Sequence, residues 1–157
     1  MADLMRWRYG ETNPVILPVD GSTAIAIGDL LYWSTNQVLP AAASGNHTNE
    51  AGNQAYLHAH FAGVAMQRSR VGDTQPIRVA TTGVFEFDSP SATYEVGDLI
   101  GGCNAASGTA LENQKVKGVG AVASAIGRCA KRVAAADTRV LVDVVASLSQ
   151  GGPQAVA

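Results

Sequence analysis

His58-Ala59-His60 is the one place in this 157-residue chain where two histidines stand close together at a chelating spacing. In a strand, alternate residues point to one face, so the two imidazoles would look the same way. Joined by an acid and a third histidine, they could hold zinc or a related ion. The rest of such a site is missing: Phe61-Ala62-Gly63-Val64 follows, no acid comes before Asp73, and the remaining histidine, His47, lies upstream. In a helix the two rings would point roughly 200° apart and could not share an ion. Surface or interface histidines are therefore expected, with no metal and no cofactor. Glu86 and Asp88 form a second same-face pair, which could hold a divalent cation but reads better as a solvated strand end. Asp29 and Asp98 each follow a glycine, have no His or Lys nearby in sequence, and read as turn residues rather than acids or bases. The chain carries no G-x-S-x-G elbow, P-loop, dinucleotide fingerprint or cysteine beside a histidine. No catalytic residue is assigned, and the expectation is a protein that is not an enzyme.

The elements around these residues repeat. Ile25-Ala26-Ile27-Gly28-Asp29-Leu30-Leu31 returns as Tyr94-Glu95-Val96-Gly97-Asp98-Leu99-Ile100. Downstream, Phe61-Ala62-Gly63-Val64-Ala65 is matched with Val116-Lys117-Gly118-Val119-Gly120, and each copy closes on a β-rich run, Ile77 to Ala80 and Arg139 to Val142. Copies at about 25–87 and 94–148 predict an all-β fold, a compact barrel or sandwich of two related units sharing one core. Ser89-Pro90-Ser91 is the expected link between them. Each Gly-Asp pair is a tight bend, where positive φ is cheap for glycine and the carboxylate can accept backbone N–H bonds.

Hydrophobic residues make up 46% of the chain and charged ones only 15%, against about 25% in an average soluble domain. Part of the surface is thus expected to be covered by sister subunits or a larger assembly. A net charge of −2 offers no footprint for nucleic acid, and Arg128, Lys131 and Arg132 read as a solvated face. Cys103 and Cys129 have no metal-type spacing; idle thiols are favoured over a disulfide. The charged start lacks a secretory apolar core, and no apolar run approaches the roughly 20 residues that cross a bilayer. Synthesis in a cytoplasm and no membrane partner are expected.

Residues 1–19 read as an extended N-terminal arm. In a straight strand Trp7 and Tyr9 would share one face and Arg6 and Arg8 the other, while Pro14 and Pro18 confine Val15-Ile16-Leu17 to a sheet edge. Such an arm either adds to a neighbour's sheet or folds back over its own barrel. Its aromatics, arginines and aliphatics (Arg6, Trp7, Arg8, Tyr9, Val15, Ile16 and Leu17) are the candidate interface, because aromatics and arginine are enriched at hot spots. The β domain spans 20–148. A short helix at about 49–60 starts on Thr48 or Asn49 as N-cap, with Glu50 in its first turn. Residues 116–124 are read as strand and then loop, Thr138 to Leu148 as the last strand, and 149–157 as a flexible tail.

Ile27-Gly28-Asp29-Leu30-Leu31-Tyr32-Trp33, Phe61-Ala62-Gly63-Val64-Ala65, Ile77-Arg78-Val79-Ala80-Thr81-Thr82-Gly83-Val84-Phe85 and Val96-Gly97-Asp98-Leu99-Ile100 stand in this order over residues 20–148. Together they resemble the small capsid cement, or head decoration, proteins of tailed bacteriophages. That resemblance implies a compact β domain on the outside of the virion head, commonly a homotrimer, clamping neighbouring major capsid proteins without cofactor or catalysis. It supplies no residue-by-residue binding set. The aromatic arm and the Asn-rich loop from Ser44 to Asn53 depart from simpler members. A different reading, a head-fibre or adhesion module that binds a host-surface glycan, expects Tyr32, Trp33 or Tyr56 to line a groove.

Overall fold

The computed structural model describes residues 3–155; Met1 and Ala2 of the arm and Val156 and Ala157 of the tail lie outside the described residues. Eleven strands run β1 (Trp7–Tyr9), β2 (Val15–Leu17), β3 (Leu30–Ser34), β4 (Gln37–Pro40), β5 (Phe61–Ala65), β6 (Ile77–Ala80), β7 (Thr82–Tyr94), β8 (Leu99–Asn104), β9 (Leu111–Gly118), β10 (Gly127–Cys129) and β11 (Val133–Val145). Two helices, α1 (Glu50–His60) and α2 (Ser147–Gln150), complete the all-β fold. Among the described residues no helix is long and apolar enough to cross a membrane.

The duplication is visible strand by strand. One sheet has the order β2-β6-β5-β3-β4 and the other β7-β11-β10-β8-β9, with β1 added on β7. A parallel contact between the first and third strand of each unit, counted along the chain, closes each ring: Asp88 opposite Lys115 joins β7 to β9, and the bridge of Val19 with Val38, where Val38 N–H donates to Pro18 O at 2.9 Å, joins the end of β2 to β4. Each unit therefore begins one strand earlier than the matched phrases suggested, at Val15 and at Thr82. Ser89-Pro90-Ser91 is no linker; it lies inside β7, a continuous strand of 13 residues paired along β11.

The repeated turns explain why the phrases recur. In the first, Ala26 N–H donates to Asp29 Oδ2 at 2.9 Å and Gly28 N–H to Ala65 O at 2.9 Å; in the second, Glu95 N–H donates to Asp98 Oδ2 at 2.8 Å and Gly97 N–H to Cys129 O at 2.9 Å. Glycine is required by φ near 97° and 94° at Gly28 and Gly97, where a side chain would strain the backbone. These bonds make Ala65 the counterpart of Cys129, so the second phrase is matched by Ile126-Gly127-Arg128-Cys129 rather than by Val116 to Gly120. Gly63 and Gly127 then coincide: a methyl group on either would strike a carbonyl oxygen of the next strand, Ala80 O or Asp143 O. Val116, expected as the equivalent of Phe61, belongs to β9, the counterpart of β4.

The helix starts on Asn49, whose side chain accepts Gly52 N–H, with Glu50 at the positive end of the dipole. Its counterpart in the second unit is a single 3-10 turn, Val122–Ser124. The strand expected to run to Ser124 thus stops at Gly118 and resumes at Gly127. Strand alternation sorts β3: Leu31 enters the core of the first ring with Ile25, Val38, Ala62, Ala65, Ile77 and Val79. Leu30 and Tyr32 point the other way, joining Leu57 of α1 and the second unit's Phe85, Phe87, Ile100, Val140, Val142 and Val144. The larger cluster is thus shared by both units, and its burial welds them. Within residues 149–155, expected to be part of a flexible tail, one stretch is packed. Gly152 and Pro153 are buried, and Gln154 O accepts the Arg128 guanidinium at 2.7 Å.

Candidate docking surface

The N-terminal arm folds back on its own chain and supplies a strand to each unit. Arg6 is its anchor, only 6% exposed. Its Nε donates to Gln114 Oε1 at 2.7 Å, Nη1 donates to Glu86 O at 3.2 Å, and Nη2 pairs with Asp88 Oδ2 at 3.2 Å. Gln114 passes the contact on to the first unit, donating from Nε2 to Asp29 Oδ1 at 2.9 Å and to Ile27 O at 3.2 Å. Asp29 is 1% exposed, and burial pushes its carboxyl above the usual range, opposed in part by the bonds from Gln114 and Ala26. One guanidinium and one amide thus tie arm, first ring and second ring together. Sequence offered no signal for this, because Arg6, Asp88 and Gln114 meet only through the fold.

With Arg6 tucked in, the apolar residues beside it turn outward. Leu4 and Met5 are about half exposed, Trp7 is 40% and Tyr9 51% exposed. These four residues, close together in sequence, account for half of the eight large hydrophobics exposed among the described residues, so exposure of this kind is concentrated in the N-terminal segment. Leu4 and Met5 were missed in sequence, although Met5 continues the spacing of Trp7 and Tyr9. The single aromatic face expected of a straight strand is not formed. A register shift sets Trp7 opposite Phe85 and Tyr9 opposite Val84, neighbours on β7 that point to opposite faces. Arg8 pairs with Glu86 Oε1 at 3.1 Å and its Nη1 donates to the carbonyls of Met5 and Trp7, which caps part of the outer edge of β1. Of the β2 candidates, Val15 and Leu17 pack on the core of the first ring, while Ile16 is 59% exposed.

Under the arm runs an open groove of about 610 Å³ bordered by Leu4, Ala42, Asp88, Leu111 and Lys115. Asp88 pairs there with Arg6 and Lys115 with Glu112 at 3.7 Å, while the buried Asp29 carboxyl, also in the lining, accepts from Gln114 and Ala26. Glu86 and Asp88 face guanidinium groups: Arg139 reaches them at 3.5 and 3.9 Å in addition to Arg8 and Arg6. His58 and His60 lie in α1 and diverge. His58 Nδ1 bonds to Ala125 O at 2.6 Å, and His60 stacks on Tyr56 at 4.2 Å. Among the described residues no three His, Cys, Asp or Glu side chains gather as a metal site. Cys103 and Cys129 are free and buried, and burial pushes both thiols up. Tyr32 is in the core, Trp33 packs against the first ring, and Tyr56 is sandwiched between His47 and His60, so the three do not form an exposed aromatic groove. Arg128 and Arg132 are engaged by Gly97 O and Glu95.

No family model, no curated protein and no solved structure matches this chain.

Proposed function

We propose that this chain is a structural protein of a phage virion, a cement that sits on the outer surface of the head as a homotrimer and stabilises contacts between major capsid proteins. It works by adhesion, without catalysis, metal or cofactor. The observation that carries the reading is the run of exposed Leu4, Met5, Trp7 and Tyr9 along an N-terminal segment that Arg6 pins to the two-ring body. An apolar patch held in one conformation loses little entropy when a partner covers it. A shell presents many copies of that partner, so modest single contacts add up through effective concentration. The phrases that resemble head decoration proteins include both Gly-Asp turns and the glycine crossing of the first ring at Gly63. The adhesion alternative draws no comparable support, since its three aromatics are committed to packing.

Co-sedimentation with emptied heads, assembled without this chain from the phage whose genome encodes it, tests the reading. Wild-type protein should pellet with the shells. The double substitution Trp7→Ser and Tyr9→Ser should abolish pelleting while the thermal midpoint stays nearly unchanged, because exposed residues contribute within about 0.5 kcal/mol to folding. Undiminished pelleting of that variant would remove the N-terminal patch from the account.

A further inference from the structure

The two rings differ at one matching edge. On the second ring, Glu86 N–H donates to Arg6 O at 2.9 Å, so β1 occupies the side of β7 away from β11. The counterpart of Glu86 follows from the registers. Leu141, opposite Glu86, accepts Ala130 N–H at 2.8 Å; Arg78, opposite Ile16, accepts Met66 N–H at 2.9 Å in the same way. Ile16 therefore stands where Glu86 stands. Because the backbone of Arg78 is turned toward β5, the N–H and C=O of Ile16 are turned away from β6 toward solvent. Among the described residues no other strand lies beside them: β2 has β6 as its strand neighbour over Val15–Leu17. The place that β1 fills on the second ring is open on the first.

We propose that the Ile16 edge receives an extended, acidic segment of another protein by β-strand addition. The length is set by Pro14 and Pro18, which have no N–H to offer and confine pairing to a segment about as short as β1 itself. The chemistry is set by charge. Where the filled edge presents the carboxylates Glu86 and Asp88 to Arg8 and Arg6, the open edge presents Ile16 and Pro18, with the exposed Arg78 directly across from Ile16. Arg78 has no ion pair among the described residues. An incoming strand with a carboxylate on that face supplies the missing partner, and apolar neighbours cover Ile16. A second copy of this chain fits poorly. Its β1 would bring two more arginines toward Arg78, and a β2-to-β2 contact would set Arg78 beside Arg78 with no carboxylate between them.

The test uses the isolated, isotope-labelled protein and two synthetic blocked heptapeptides, Thr-Val-Thr-Glu-Thr-Val-Thr and the same peptide with lysine in place of glutamate. The glutamate peptide should shift the Ile16 amide saturably at millimolar concentration and slow its hydrogen exchange, and the lysine peptide should bind about tenfold more weakly. Arg78→Glu should reverse that order. Ile16→Pro, which deletes the edge N–H at a position where proline is tolerated, should remove binding. No response of Ile16 to either peptide, or equal binding of both, overturns the proposal. So does concentration-dependent self-association that Ile16→Pro abolishes, since the occupant would then be a second copy. Shells are not involved, so failure here leaves the capsid reading standing, and failure of the Trp7/Tyr9 pelleting test leaves this edge untouched.

Discussion

Asp29 and Asp98 occupy the same place in duplicated turns, yet replacing each with asparagine should have unequal effects. Asp29 is buried and accepts twice, from Ala26 N–H at 2.9 Å and from Gln114 Nε2 at 2.9 Å. Asparagine can accept only one of these and turns its amide N–H₂ toward the other donor. Gln114 cannot rotate to help, because its Oε1 is held by Arg6 Nε at 2.7 Å. One buried donor-to-donor contact remains in every arrangement, which costs about 1–3 kcal/mol, lessened by no longer burying a charge. Asp98 is exposed and accepts Glu95 N–H, a bond that asparagine reproduces, so its replacement should stay within about 0.5 kcal/mol. In a chain of this size each kcal/mol moves the thermal midpoint by about 2–4 °C, so the two single variants should be distinguishable by calorimetry or urea unfolding. Adding Gln114→Glu to Asp29→Asn moves the carboxylate across the contact and restores acceptors for both Asn and Arg6, but gives up the bond from Gln114 Nε2 to Ile27 O, and should recover part of the loss. If Asp29→Asn is as mild as Asp98→Asn, or if the second substitution rescues nothing, the polar seam does not join the units as described.

Two further outcomes follow from the same geometry. Gly63→Ala and Gly127→Ala should each cost about 2–4 kcal/mol or prevent folding, because the new methyl meets a neighbouring strand's carbonyl; Gly97→Ala, with open space but φ of 94°, should cost about 1–2 kcal/mol, all readable from urea midpoints. The Glu50–Lys117 pair at 2.8 Å should matter only in a central pH window. Burial raises the Glu50 carboxyl, but bonds from Lys117 and Asn104 N–H more than offset it, so its value falls below the ordinary 4.5. The bond to Glu50 raises Lys117 above 10.5. A lowered acid contributes stability above its unfolded value and loses it as pH falls through the folded one; a raised base contributes below its unfolded value and loses it as pH rises through the folded one. Lys117→Met should therefore destabilise by at most about 1 kcal/mol near neutrality, and the difference from wild type should vanish in strong acid.

The sequence showed what depends on local chemistry. The Gly-Asp turns were legible because the backbone conformation and the carboxylate acceptor both demand those residue types, and α1 because Asn49 and Glu50 form a proper start. What it hid depends on distance. Val15–Leu17 and Thr82–Phe87 are equivalent strands with little shared spelling, since each needs only inward apolar residues at alternate places, and so the repeat boundary was set too late. The match of Val116–Gly120 to Phe61–Ala65 rested on a shared glycine, whereas the glycine that counts, Gly127, is fixed by a carbonyl on β11 that no local pattern reveals. The arm's candidates divided for the same reason. Arg6 is an internal clamp and Val15 and Leu17 are core, while Trp7, Tyr9 and Ile16 face outward, a division made by partners about 60 to 110 residues away.

Electron cryomicroscopy of heads assembled with and without this chain tests the central claim most directly. The account predicts added density on the outer shell surface in threefold clusters, with Leu4, Met5, Trp7 and Tyr9 against the major capsid protein. Heads that show no added density, or density in which those four side chains face solvent, would contradict it.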